Sequence, residues 1–208
     1  YWHNPENERD YERSPQRALW RTAKELKMDQ YVALAMFSWV DPRTIDRAMY
    51  KIYNTLWAYK IKLNTDLSFH KLNPRWCLKG GTMDRGIYKS HALTLKLVTF
   101  KIILAIKGGY YKQMCAFLID CSDAFQTTRT DVDPTKPKLY CWPAPGFGKY
   151  APDGTPLACE VHVGMQGRID ATMLFNEKLF GLLFKAGFTR SLWDPQLAIY
   201  HNCSLSGS

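Results

Sequence analysis

Met114-Cys115-Ala116-Phe117-Leu118-Ile119-Asp120-Cys121-Ser122-Asp123-Ala124-Phe125 is the stretch on which the fold turns. An unbroken apolar run, Met114 to Ile119, stops abruptly at the carboxylate of Asp120. Such a run predicts a buried central strand that delivers Asp120 at its C-terminal end. A short helix is expected to follow from Ser122. Hard divalent cations such as magnesium take carboxylate and carbonyl oxygens, and N–H groups opening a helix attract phosphates. A metal–phosphate site is therefore one reading of this corner. The other, commoner for an aspartate at a strand end, is a helix cap.

The flanks supply the rest of the architecture. On the N-terminal side, Ser90 can cap a helix whose broad apolar face is Leu93, Leu97, Phe100, Ile103 and Leu104. Gly108-Gly109 stops it, and it reads as a core helix. Further back, Leu56 to Leu63 alternates, Asn64-Thr65-Asp66 is turn chemistry, and Ser68 to Lys79 returns with Pro74 at an edge or bulge. This predicts a β-hairpin over 56–79 with lysines along one face. Ser14-Pro15 resembles a helix start, with Leu19, Ala23 and Leu26 as the buried stripe up to Met28. Residues 1–13 are polar and read as a loose arm.

On the C-terminal side, Lys138 to Trp142 reads as a strand, Pro143 to Gly148 as a loop and Leu157 to Val163 as a strand. Arg168 to Lys185 reads as an amphipathic helix closed by Gly187, bearing Met173, Leu174, Leu179, Leu182 and Leu183, with a last strand starting at Leu197. The mixture implies an α+β fold, an antiparallel sheet covered by helices. The expected boundaries are an arm over 1–13, a unit over 14–89 and a second unit over 90–208.

Composition bounds the function. With 46% hydrophobic residues the chain can bury a core, which excludes a disordered class. Twenty-eight Lys and Arg against 19 Asp and Glu give a formal charge of +9. That surplus suits a polyanion such as nucleic acid, or an unspecialised basic surface. Six cysteines form no CxxC pair and sit at no zinc-finger spacing from histidine, so reduced thiols in an intracellular protein are expected. Charges break every apolar stretch well before 18 residues, so no transmembrane helix and no membrane partner is expected.

Taken in order, several segments from about Trp20 to Tyr200 resemble the reverse transcriptase domain of copia-type retrotransposons. Trp57-Ala58-Tyr59-Lys60-Ile61-Lys62 is similar to that family's tryptophan–lysine strand, and Pro74-Arg75-Trp76-Cys77-Leu78-Lys79-Gly80-Gly81 to its arginine-containing return strand. Leu118 to Phe125 resembles its first catalytic motif, an Asp followed by Ala-Phe four and five residues later. Trp142-Pro143-Ala144-Pro145-Gly146-Phe147 is similar to its Pro-Pro-Gly-Phe loop, and Gly187-Phe188-Thr189-Arg190-Ser191 with Asp194-Pro195 to its Gly-Phe…Ser…Asp segment.

The resemblance implies the fingers and partial palm of a right-hand polymerase using two magnesium (or manganese) ions. It implies that Asp120 is the catalytic carboxylate and, with the Cys121 carbonyl, a metal ligand. Asp123 and Ala124 would offer backbone N–H groups to the triphosphate, and Phe125 would lie under the sugar and exclude a 2′-hydroxyl. Arg75 would grip the phosphates, with Lys60 and Lys62 contributing or forming a solvated face. Gln166 and Gly167, in Met165-Gln166-Gly167, would touch nucleotide or template, or Gln166 is an ordinary helix-entry residue.

The implied partners are an RNA or DNA template–primer, a deoxynucleoside triphosphate, and the rest of a polyprotein: remaining palm, RNase H and integrase. The implied location is cytoplasmic particles and the nucleus.

The chain departs from the family in two places. Gly164 to Thr172 lacks the usual proline and aromatic residues and, Arg168 apart, the usual basic ones, and carries Asp170 and Thr172 where neither is expected. No Asp-Asp pair occurs, and Asp131 and Asp133 read as a solvated turn. The chain ends near where the paired-aspartate hairpin would begin, so by itself it is expected to have little or no polymerase activity. The alternative is a non-catalytic nucleic-acid-binding remnant of a decayed or domesticated element.

Overall fold

The computed structural model describes residues 2–88, 94–109 and 120–200. The strand expected over 114–119, the Ser90 cap, Leu93 and the tail beyond Tyr200 lie outside the described residues. The fold is α+β, with several small sheets and four helices among those residues.

The expected loose arm is partly helical. Helix α1 (Glu8–Arg13) is capped by Asn7, whose side chain accepts from the Asp10 N–H at 3.0 Å. Tyr11 and Pro5 are buried, and Trp2 stacks on Phe69 with ring centroids 3.9 Å apart. A polar run that carries the rings of Trp2 and Tyr11 has enough apolar area to be held down.

Helix α2 (Arg17–Ala33) begins later than Ser14-Pro15 suggests and runs past Met28. Ser14 instead closes α1, and its hydroxyl accepts from the Gln16 N–H at 3.2 Å. The buried stripe is Trp20, Lys24, Met28 and Tyr31, whereas Leu19 and Leu26 are 52% and 66% exposed. Burying the rings of Trp20 and Tyr31 removes more apolar area from water than burying two leucines, so the helix turns that face inward.

Lys24 accompanies the rings. Its Nζ lies 2.7 Å from Glu8 Oε1, donates to Tyr59 Oη at 3.1 Å and sits 3.7 Å from the Tyr11 ring centroid. Burial lowers its pKa, and the hydrogen bond to Glu8 opposes that shift.

Four strands form the central sheet: β1 (Phe37–Val40), β2 (Ile52–Tyr53), β7 (Leu139–Cys141) and β8 (Ala158–Val161), in the order β1-β8-β7-β2. It is not wholly antiparallel. β2 pairs with β7 in parallel, which the chain permits because a long crossover separates Tyr53 from Leu139.

The hairpin over 56–79 is present as two successive strand pairs. β3 (Thr55–Ala58) pairs with β6 (Arg75–Leu78), and β4 (Ile61–Leu63) with β5 (Phe69–Leu72). The ladder breaks opposite Pro74, which has no N–H to give, while the Asn73 N–H still donates to Lys60 O at 2.8 Å. The loop after β7 docks on β3: Trp57 Nε1 donates to Pro145 O at 3.0 Å, and Thr55 Oγ1 donates to Pro143 O at 3.0 Å. Trp20, Met28, Tyr31, Met36, Trp57, Trp76, Leu78, Leu139, Val161 and Val163 share one core, so α2, the hairpin and the sheet are packed together.

α3 (Leu97–Gly109) is not a core helix among the described residues. Leu97, Val98, Phe100, Ile102 and Leu104 are exposed. Apolar residues lie all round this helix, and among the described residues none of them is buried. Its start is held by Asp194, whose carboxylate accepts from the Lys96 N–H at 2.9 Å and from Thr99 Oγ1 at 2.6 Å. α4 (Ala171–Lys185) ends at Gly187, which adopts φ +89°. Its buried residues are Ala171, Leu174 and Phe180, whereas Leu182 is exposed. β9 (Phe188–Arg190) and β10 (Ala198–Tyr200) form a terminal hairpin. Among the described residues no helix is long and apolar enough to cross a membrane.

The Lys24 cluster yields a stability prediction. Glu8→Ala strands a buried ammonium, and the half-exposed position of Glu8 brings the expected loss to about 2 kcal/mol, below the range for fully buried pairs. Lys24→Met removes the charge and keeps the stem, and costs less. Urea unfolding of both variants checks this; a Glu8→Ala loss no larger than that of Lys24→Met contradicts it.

Candidate functional site

A cavity of about 480 Å3 lies where α2, the hairpin, the Asp120 turn and the segment after β8 meet. The hairpin contributes Lys62, Lys71, Asn73 and Arg75. α2 contributes Lys27 and Gln30. The third wall is Asp120 to Gln126, and Gln166 completes it.

The hairpin wall follows from register. Lys62 and Lys71 are direct partners across β4 and β5, an arrangement that repels. A bulge follows Lys62, between it and Leu63. Arg75 pairs with Ala58 at the start of β6, beside the break made by Pro74.

Residues 122–127 form a succession of turns instead of the expected helix. Asp123 stands at φ +49°, a left-handed conformation that interrupts helical geometry. Short polar side chains tolerate that region better than most. The Asp123 carboxylate is tied to α2: Oδ1 lies 3.3 Å from Lys27 Nζ, and Oδ2 accepts from Gln30 Nε2 at 3.0 Å. The end of the turn is tied to the sheet. The Thr130 N–H donates to His162 O, and the Gly164 N–H to Thr128 O, both at 2.8 Å. A Cβ on Gly164 would stand 2.8 Å from Phe125 O, so glycine is what lets the two backbones approach.

Gln166 is fixed by its own backbone. Its carbonyl accepts from the Leu78 N–H of β6 at 2.8 Å, and its side-chain oxygen accepts from buried Gln126 Nε2 at 3.2 Å. Gly167 does not line the cavity. It adopts φ +81° and packs on β6, where a Cβ would fall 2.1 Å from Leu78 O. Lys60 is exposed and also lies outside the cavity lining. The structure thus brings together Asp120, Cys121, Asp123, Ala124, Phe125, Gln166, Arg75 and Lys62, and leaves Lys60 and Gly167 apart.

Sequence reading missed Lys27, Gln30, Lys71 and Asn73. Lys71 was legible in principle, since hairpin register alone sets it opposite Lys62. Lys27 and Gln30 needed the face of α2 that turns inward. Asp170 has a local role: its carboxylate makes a buried bidentate pair with Arg168, Nε to Oδ1 at 2.5 Å and Nη2 to Oδ2 at 3.0 Å. Asp194 is likewise structural: the hydrogen bond from Thr99 holds its carboxyl below the usual range.

The walls carry four cations, Lys27, Lys62, Lys71 and Arg75, against the carboxylates of Asp120 and Asp123. That balance suits an anion, and the guanidinium fork of Arg75 suits phosphate. Asp120 with the Cys121 carbonyl offers a divalent ion two protein oxygens, a set magnesium completes with water and phosphate. Two ions need more: Asp123 is engaged by Lys27 and Gln30, and among the described residues no group of three or more His, Cys, Asp or Glu is arranged to hold a metal.

Gly167→Ala places an L-residue in the left-handed region, at about 1–2 kcal/mol, and pushes a methyl into the Leu78 carbonyl. A loss of about 2 kcal/mol or more is expected in urea unfolding; an unchanged midpoint contradicts the close backbone packing of this segment on β6. No family model matches the chain, and no characterised protein or solved structure matches it, so the chemistry of the cavity is the ground for a functional reading.

Proposed function

We propose that this chain carries the fingers and part of the palm of an RNA-directed DNA polymerase, and that the cavity takes the triphosphate of an incoming deoxynucleotide. The observation that carries the reading is a meeting of remote segments. Arg75 and Lys62 of the hairpin, the Asp120–Phe125 turn and Gln166 line one cavity.

The roles follow from the chemistry of each group. Arg75 grips phosphate oxygens in a bidentate fork, and Lys62 adds point charge. The backbone N–H groups of Asp123 and Ala124 meet the same oxygens. The Phe125 ring lies under the sugar, where it crowds a 2′-hydroxyl and favours deoxynucleotides. Gln166 contacts the nucleotide or the template. Asp120 and the Cys121 carbonyl would hold one magnesium or manganese ion, which would supply charge neutralisation and activation of the primer hydroxyl. In the transfer the primer 3′-hydroxyl would give up its proton to water, its oxygen would bond to the α-phosphorus, and the bond from that phosphorus to the leaving pyrophosphate would break in line. The charge that develops on the leaving group is taken up by Arg75 and the lysines beside it.

A second reading has one observation in its favour. The cavity sets Lys27, Lys62, Lys71 and Arg75 against Asp120 and Asp123, and such a surplus of cations suits a protein that binds nucleic acid through phosphates, with salt-sensitive and sequence-independent affinity.

RNA-templated primer extension with magnesium, by the full reading frame that carries this chain, separates the two. Extension that Asp120→Asn abolishes is the expected result. No extension by either protein, with salt-sensitive nucleic-acid binding retained by both, contradicts the polymerase reading and leaves the second.

A further inference from the structure

The cavity contains an internal ion pair that the roles above do not use. Lys27, on α2, has its Nζ 3.3 Å from Asp123 Oδ1 and 2.8 Å from Gln30 Oε1. An ammonium carries three protons, and these two contacts engage two of them. Asp123 is held twice over: Gln30 Nε2 donates to its other oxygen at 3.0 Å. Asp123 therefore keeps a partner if Lys27 leaves.

A second observation points to what would draw Lys27 away. Lys62 and Lys71 stand directly opposite each other in the hairpin and line the same cavity. Like charges in that position destabilise a strand pair, and an anion between them removes the repulsion. With Lys27 neutralised by Asp123, the uncompensated charges are Lys62, Lys71 and Arg75 against Asp120. A polyphosphate reverses that balance and competes with Asp123 for the ammonium. The lysine stem is flexible and its head is a point charge that needs no fixed fork.

We infer that Lys27 is a phosphate-binding residue of this site, which rests on Asp123 while the cavity is empty and transfers to the ligand's phosphates when a triphosphate enters. The inference rests on the triphosphate-binding reading of the cavity. It adds α2 to the binding walls and gives Asp123 a second role, that of a competitor whose carboxylate sets how readily Lys27 is released.

Titration calorimetry with inorganic tripolyphosphate, without divalent metal and at low salt, tests this on the wild type, Asp123→Asn, Lys27→Gln, Lys27→Arg, the double variant and Arg75→Gln. Asparagine tolerates the left-handed conformation at residue 123 and still accepts from Gln30, so Asp123→Asn removes the competitor and spares the turn. The expected result is tighter binding by Asp123→Asn, by a factor of about two to five, the size of a partly exposed ion pair. Lys27→Gln binds more weakly by a similar factor, Lys27→Arg recovers most of the loss, and the double variant binds no more tightly than Lys27→Gln. A Lys27 that only braced the fold would not make the Asp123→Asn gain depend on it. Binding by Asp123→Asn equal to or weaker than wild type overturns the inference. If Lys27→Gln matches wild type while Arg75→Gln loses binding, the inference falls and the triphosphate site stands. No binding by the wild type overturns both.

Discussion

The site depends on one backbone-to-backbone contact. The Leu78 N–H of β6 donates to Gln166 O at 2.8 Å, and Gly167 lies so close that a Cβ would meet Leu78 O at 2.1 Å. Gly80 repeats the constraint from the other side, since its Cβ would stand 1.9 Å from Gly167 O. Two glycines thus let the hairpin sit directly on the segment that follows β8. Without that seat, Arg75 and Lys71 would have no fixed distance to Gln166, and the cavity would lose a wall. A third glycine, Gly164, does the same for the Asp120 turn by admitting Phe125 O.

Charge is arranged on this frame in two ways. Beneath the hairpin, Lys24 is buried with full compensation: Glu8, the Tyr59 hydroxyl and the Tyr11 ring surround it. Within the cavity the cations are only partly compensated. Lys62 faces Lys71, Arg75 stands at the start of β6, and of these cations Lys27 alone has a carboxylate partner among the described residues. Fully satisfied buried charge supports structure, whereas a surplus of cations in a cavity is a binding property.

Much of this was legible in the sequence where local chemistry decides. The 56–79 hairpin, the Pro143–Gly148 loop, the strands near 139–141 and 158–161 and the helix ending at Gly187 follow from alternation, turn residues and glycine. The choice of buried face did not. Leu19 and Leu26 fit helical spacing as well as Trp20, Met28 and Tyr31 do, and only the partners across the core choose between them. The turns at 122–127 replaced an expected helix because Asp123 is bound sideways to α2, a contact 93 residues distant in sequence that no local pattern encodes. At the cavity, sequence singled out Asp120, Asp123, Phe125, Arg75 and Gln166, which line it, and did not single out Lys27, Gln30, Lys71 and Asn73, which face them. Gly167 illustrates the difference: its place in a motif suggested ligand contact, and its backbone serves packing.

The occupant proposed for the cavity between the hairpin, the Asp120 turn and Gln166 is a nucleoside triphosphate. The most direct measurement is photo-cross-linking with an azido-substituted deoxynucleoside triphosphate, followed by mapping of the labelled peptides. Label is expected on the hairpin around Lys62 to Arg75 and on the segments carrying Phe125 and Gln166, competed by unlabelled triphosphate. Label confined to other surfaces, or label that triphosphate does not compete, would contradict it.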